Sequence, residues 1–132
     1  MSKAINKWQK PFHVERGDIY LTDFGNEADV VGSEQFGVRP AVITSANFLN
    51  RRSPTVIVAA ITSELKKTQL GTHYILPVLP ALPRTSMVLG EQRFTIDKQR
   101  LIKYCCKLDR ETMKQVTRAC RKAEAADRGK RT

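Results

Sequence analysis

Arg39 and the run before it hold the densest chemistry in this chain. Gly32-Ser33-Glu34-Gln35-Phe36-Gly37-Val38-Arg39-Pro40 places a hydroxyl, a carboxylate and an amide in a row, then a guanidinium. That guanidinium is permanently charged and presents a planar fork of donors suited to carboxylate or phosphate. The two glycines permit unusual backbone angles or the close approach of a ligand. A loop built only to reverse the chain does not need this set. The stretch reads as a holder for an anionic ligand whose charge Arg39 meets. A second reading stays open, in which Arg39 forms a surface ion pair with Glu34 or Asp23. Thr62 and Ser63 put two hydroxyls at the end of the apolar run Val56 to Ile61. Taken alone, they satisfy backbone groups at a strand end.

Other chemistries find little support. There is no C-x-x-C, and His13 and His73 are the only histidines, so no zinc site is expected. The closest acidic pairs are Glu27 with Asp29, in a loop, and Asp109 with Glu111, at a helix start. Neither forms a magnesium-binding cluster. No metal and no cofactor are expected. Cys105, Cys106 and Cys120 are an odd, clustered set rather than a disulfide framework. The N-terminus lacks the apolar stretch of a signal peptide, and no run approaches the ~18 residues needed to span a bilayer. These features predict a cytoplasmic protein with no membrane partner.

The net charge of +10 is unevenly placed. Residues 16 to 97 carry eight basic and eight acidic side chains. Residues 98 to 132 carry twelve basic and four acidic, a balance of +8, so the positive field belongs mostly to the C-terminal quarter. Such a field suits a nucleic acid or another polyanion, or else simply solvates a helix face and a tail.

The elements that must position these groups are mostly strands. Ile19 to Thr22 is apolar and β-prone, and a connection of about fifteen residues follows. Pro40 pins the start of the next strand, Ala41 to Thr44, and Ala46 to Pro54 reads as a turn region. Thr55 to Ile61 reads as a strand buried on both faces. After the polar stretch Glu64 to Gly71, strands are expected at Thr72 to Leu76, Ser86 to Gly90, Phe94 to Asp97 and Leu101 to Tyr104. Pro77, Pro80 and Pro83 stiffen a loop, although their spacing also fits a polyproline ligand. Asp109 caps a C-terminal helix with Glu111 in its first turn, and Met113, Val116, Cys120 and Ala123 face the core. The fold class is therefore α+β, mainly β: a small antiparallel barrel or coiled sheet of five to seven short strands with one C-terminal helix. Residues 1–15 are expected as an N-terminal extension carrying Trp8 and Phe12, 16–126 as the domain and 127–132 as a basic tail.

Several stretches in order resemble one family. They are Arg16-Gly17-Asp18-Ile19-Tyr20, Gly32 to Gln35 with Val38-Arg39-Pro40, Asn50-Arg51, Pro54 to Ser63, Thr72-His73, Ser86 to Leu89, Glu91-Gln92 and Arg93 to Leu101. Together they resemble the MazF/PemK family of toxin endoribonucleases from toxin–antitoxin modules. The resemblance implies an SH3-like β-barrel, a homodimer, metal-independent cleavage of single-stranded RNA at short sequences, and a cognate antitoxin that covers the RNA groove. It implies that the catalytic arginine is Arg39 and the catalytic threonine Thr62. It implies RNA contacts at Ser33, Glu34, Gln35, Asn50, Gln92, Lys67 and Arg93. The proline-rich segment after His73 and the long acidic lead-in at Glu27 and Asp29 depart from the family pattern.

The chemistry this implies is self-cleavage of RNA, in which a 2′-OH attacks the adjacent phosphate. The enzyme must align that oxygen, neutralise the phosphorane and protonate the leaving oxygen. Arg39 suits charge stabilisation; its pKa above ~12 makes it a poor base. Thr62 can hydrogen-bond a phosphate oxygen or orient the 2′-OH. Glu34, the carboxylate of the loop motif, is a candidate base or base reader. Gln35, Asn50 and Gln92 suit base edges, and Phe36 either stacks on a base or caps the core. A two-histidine ribonuclease would need His13 beside His73, and His13 lies in the extension. Two other classes remain in view. One is a gyrase-binding toxin of the CcdB group, disfavoured because the chain lacks that group's Trp-Gly-Ile ending. The other is a non-catalytic RNA-binding barrel.

Overall fold

A computed structural model describes residues 14–26, 28 and 36–125. Trp8, Phe12 and His13 of the N-terminal extension, the 127–132 tail, and Glu27, Asp29, Ser33, Glu34 and Gln35 lie outside the described residues. The elements run β1 (Asp18–Asp23), β2 (Val38–Ile43), α1 (Asn47–Arg52), β3 (Thr55–Thr62), β4 (His73–Ile75), β5 (Met87–Asp97), a 3-10 turn (Lys98–Arg100), β6 (Leu101–Lys107) and α2 (Arg110–Lys122). The strands form one antiparallel sheet in the order β4-β5-β3-β2-β1-β6. The sheet is barrel-like but not closed, because β4 and β6 stay at its edges. Among the described residues, no helix is long and apolar enough to cross a membrane.

Alternation along the strands divides the core in two. Ile19, Val42, Ala59, Ile61 and Val88 face α2, which lays Met113, Val116 and Cys120 against them. Tyr20, Ala41, Ile43, Val56 and Val58 face the other way and pack with Ile96 and Leu101. Apolar residues on both faces explain why β3 reads as a continuous apolar run: it lies between β2 and β5 and buries both sides. The helix cap forms as expected, with Asp109 Oδ1 accepting from the Thr112 N–H at 2.7 Å.

Four elements differ from the expectation, each for a tertiary reason. β2 begins at Val38 rather than Pro40, so Arg39 lies within a strand. Pro40 is tolerated there because the β2–β3 ladder begins only at Ala41, and Pro40 pairs on its other side with Leu21. Part of the expected turn from Ala46 to Pro54 is the short helix α1, held by the buried Asn50 side chain. The two strands expected at Ser86 to Gly90 and Phe94 to Asp97 are one strand, β5, bent where its register with β3 shifts beyond Ala59. In α2 the buried face ends with Ala119 and Cys120, while Ala123 is exposed because the helix stops at Lys122.

Gly90 sits at that bend. Its N–H donates to the Thr72 carbonyl at 2.7 Å. A Cβ there would lie 2.7 Å from the Thr72 carbonyl oxygen and 2.7 Å from that of Ala119, both backbone atoms. Glycine is required so that β4 and α2 can close on β5. Gly90→Ala should therefore destabilise the fold by about 1–3 kcal/mol, read as a lower midpoint in urea with an unchanged slope.

Candidate functional site

The β2–β3 ladder gives the relative placement of Arg39 and Thr62. Its last pair toward the strand ends is Ala41 with Ala60. Carrying that antiparallel register two residues further sets Arg39 opposite Thr62. Side chains alternate, so Arg39 shares a face with Ala41 and Ile43, and Thr62 with Val58 and Ala60. Both therefore belong to the face turned away from α2. Phe24 and Phe94 pack against each other on that same face, with ring centroids 5.1 Å apart. Gln92 precedes Phe94 by two residues on β5 and alternates onto this side.

Arg39 is aimed rather than free. Its Nε donates to the Phe36 carbonyl at 2.9 Å, and its guanidinium carbon lies 5.5 Å from the Phe36 ring centre. Phe36 thus takes a role that neither expectation named: it is the platform for the guanidinium. Among the described residues, the Nη groups meet no acceptor, which leaves the fork for an anion. The expected alternative of an ion pair with Asp23 does not form. The Asp23 carboxylate instead accepts from the Gly25 N–H at 2.8 Å. The base of the loop is closed by two glycines. Gly37 N–H donates to the Gly25 carbonyl at 2.7 Å, and both residues take positive φ, +77° and +98°. Thr62 Oγ1 accepts the Glu64 N–H at 3.0 Å, satisfying a strand-end amide, and its own O–H remains able to donate.

The loop after Thr62 is fixed by a pair that sequence left without a role. His73 Nε2 lies 2.9 Å from Glu91 Oε2, and His73 Nδ1 lies 3.1 Å from the Lys67 carbonyl. Both neighbours are acceptors, and a neutral ring donates from only one nitrogen. The bond also holds Lys67 in a left-handed backbone conformation, φ 54°, which a residue with a Cβ adopts at a cost of about 1 kcal/mol. The Glu91 carboxyl is pushed up by partial burial. The hydrogen bond with His73, the backbone of Glu91 itself and the His73 charge outweigh that and hold it below the usual range. Thr72-His73 and Glu91-Gln92 stand among the motifs of the resemblance, and that was their one signal in the sequence.

Two expected RNA contacts are placed elsewhere. Asn50 is fully buried; its Nδ2 donates to the Ser45 carbonyl at 3.0 Å and its Oδ1 accepts from the Ser45 hydroxyl. The Ser45 hydroxyl in turn accepts from the Ile57 N–H at 3.0 Å, so Asn50 braces the corner between α1 and β3. Arg93 pairs with Glu124, beyond the end of α2, on the opposite side of the sheet from Arg39. Ser33, Glu34 and Gln35 lie outside the described residues.

Known proteins resemble this chain in sequence and in fold. Residues 15–123 match the family described as PemK-like, MazF-like toxin of type II toxin–antitoxin system. Endoribonuclease EndoA of Bacillus subtilis (strain 168) is 46% identical over 107 residues, covering 80% of this chain and 90% of that protein. The fold is similar to an endoribonuclease in complex with its cognate antitoxin from Mycobacterial species, with TM-score 0.69 and 23% identity over 84% of this chain and 94% of that one. It is also similar to MazF from Deinococcus radiodurans, with TM-score 0.68 and 20% identity over 83% of this chain and 94% of that one.

The Glu91 carboxylate, held below its ordinary value of 4.5, adds stability that is present above that value and lost as pH falls through the folded pKa. It is partly exposed, so the contribution is under about 1 kcal/mol. Glu91→Gln should melt a few degrees below the parent at pH 7, by roughly the shift expected for that energy. The gap should close on acidification below 4.5, followed by circular dichroism.

Proposed function

This chain belongs to the PemK-like, MazF-like toxin family of type II toxin–antitoxin systems and is an endoribonuclease, and from that premise we propose how it acts. The protein cleaves single-stranded RNA at short sequences by attack of a 2′-OH on the adjacent phosphate, with Arg39 and Thr62 as the catalytic pair. The observation that supports this is the β2–β3 register: extended two residues past its last pair, it runs from the platformed Arg39 guanidinium to the strand-end Thr62 hydroxyl. Arg39 meets the charge that develops on the phosphorane, and its Nη groups suit the non-bridging oxygens. Thr62 donates to a phosphate oxygen or orients the attacking hydroxyl. Proton removal falls to a group of the Gly32 to Gln35 segment, where Glu34 is the carboxylate. Gln92 on β5 and Lys67 on the clamped loop border the site and contact the flanking nucleotides. The step is proposed as metal-independent, since attack by the 2′-OH needs only charge stabilisation and proton transfer at the phosphate.

The partners follow from the same surface. A cognate antitoxin silences the enzyme by covering the RNA site, and one similar fold was solved in complex with its cognate antitoxin. The protein works as a homodimer. Its edge strand β4 and the flanking loops expose Leu65, Leu70, Ile75 and Val78, the last at 90% of its surface. An unpaired strand edge beside exposed apolar side chains is the kind of surface a second copy covers. The compartment is the cytoplasm, where RNA is at hand and thiols stay reduced. Cys105, Cys106 and Cys120 are free, and burial raises the pKa of each, which suits inert structural thiols.

Purified protein should cut a long transcript into discrete fragments in the presence of EDTA. Arg39→Ala should lower kcat about a hundred- to a thousandfold with its melting curve preserved, and Thr62→Val should act in the same direction. Intact RNA that is still bound by the parent protein would assign it instead to a non-catalytic RNA-binding barrel. Light scattering should give twice the chain mass at micromolar concentration, and Ile75→Asp combined with Val78→Asp should return it to the monomer mass.

A further inference from the structure

We propose that the outward stripe of α2 is a second nucleic-acid surface, which holds the sugar–phosphate backbone of RNA away from the cut site; this rests on the ribonuclease reading above. Arg110, Lys114, Arg118, Arg121 and Lys122 recur at spacings of three and four, so they share one side of the helix. They wall a groove of about 1250 Å³ whose far side is formed by Arg16, Asn47 and Lys107. Glu111 is the single acidic residue among the described lining, 3.9 Å from Lys114.

The two walls differ in how their charges are used. Lys107 is neutralised within the fold by Glu15 at 2.8 Å and Asp18 at 3.3 Å. Arg16 is spent on the Thr44 carbonyl and the Thr117 hydroxyl. On the helix wall, Arg110, Arg118, Arg121 and Lys122 form no ion pair among the described residues. Like charges four residues apart repel, and Arg110 occupies the first turn, where the helix dipole disfavours a cation, although Arg121 and Lys122 in the last turn suit it. Folding does not require this arrangement, since the opposite side of α2 supplies the packing through Met113, Val116, Ala119 and Cys120. A polyanion is what relieves it.

The groove fits a phosphate backbone better than a protein. Protein interfaces centre on buried aromatic or aliphatic anchors, and this groove is bordered mainly by cations. At 1.5 Å per residue the stripe from Arg110 to Lys122 runs about 18 Å, enough for several successive phosphates. It lies on the α2 side of the sheet, whereas Arg39 and Thr62 alternate onto the other side. An RNA that only spans the cut site does not reach it; a long transcript does. The surface therefore raises affinity for long RNA without reading sequence.

The test compares a short oligoribonucleotide that spans one cut site with a long transcript containing it. A triple variant, Arg110→Gln, Arg118→Gln and Arg121→Gln, should keep kcat/KM on the oligonucleotide and raise KM on the transcript by roughly tenfold or more. In an Arg39→Ala background, where RNA stays intact, the same three changes should lower the salt slope of transcript binding by about two. Lysine at the same three positions should restore the parental values, because the attraction is to charge. Equal effects on both substrates, no effect on either, or failure of lysine to rescue would overturn the proposal. So would a loss confined to duplex DNA binding, with RNA unaffected. If the parent protein cuts no RNA at all, the catalytic reading fails by itself, and the binding measurement still decides this one.

Discussion

The antiparallel pairing of β2 with β3 is the constraint on which the site depends. Neither Arg39 nor Thr62 is distinctive in isolation. One is an arginine near a proline and the other a hydroxyl at a strand end. The pairs Ala41 with Ala60 and Val42 with Ala59 set the register, because a slip by one residue would exchange Val56, Val58 and Ala60 with Ala59 and Ile61 between two differently lined cores. Burial thus fixes the register, and the proposed pairing of guanidinium and hydroxyl follows from extending it. The chemistry is set by the least polar part of the chain.

A second layer of constraint surrounds the first. Phe36 holds the guanidinium by its ring and its carbonyl, so Arg39 has a defined direction before any ligand arrives. His73 ties the Lys67 carbonyl to Glu91 on β5, so the loop leaving Thr62 is anchored at a strained residue. Gly90 lets β5 pass close under both Thr72 and Ala119. These contacts link the bend of β5, the short edge strand β4 and α2 into one assembly. Preorganisation of this kind spares the reorganisation that a floppy cation would need as charge develops.

The distribution of charge complements this. The segment from Arg16 to Asp97 is electrically balanced, so Arg39 acts as one aimed charge rather than as part of a basic field. Part of the excess lies on α2, on the other side of the sheet, where five cations accompany Glu111. In the reading proposed above, separating the two lets local geometry govern the reaction while the helix face governs attraction to a long polyanion.

Much was legible in the sequence because it depends on local rules. The buried strand Thr55 to Thr62, the Asp109 cap and the apolar face of α2 follow from apolar runs, capping chemistry and helical period. The motif around Arg39 announced itself by residue types, and the ordered motifs carried the family. What the sequence could not contain is any relation between residues far apart in the chain. Asn50 looked like a polar residue free to read a base, and its burial arises from Ser45 and Ile57 across the α1–β3 corner. Arg93 looked like its neighbour Gln92, and the bend in β5 sent it to Glu124 instead. His73 looked idle because its partners lie six residues before and eighteen after it. The sequence by itself determined which segments are strands and which residue types are available for chemistry. The tertiary structure alone decided which of them face one another, because side-chain alternation and sheet register are set by burial across strands rather than along them.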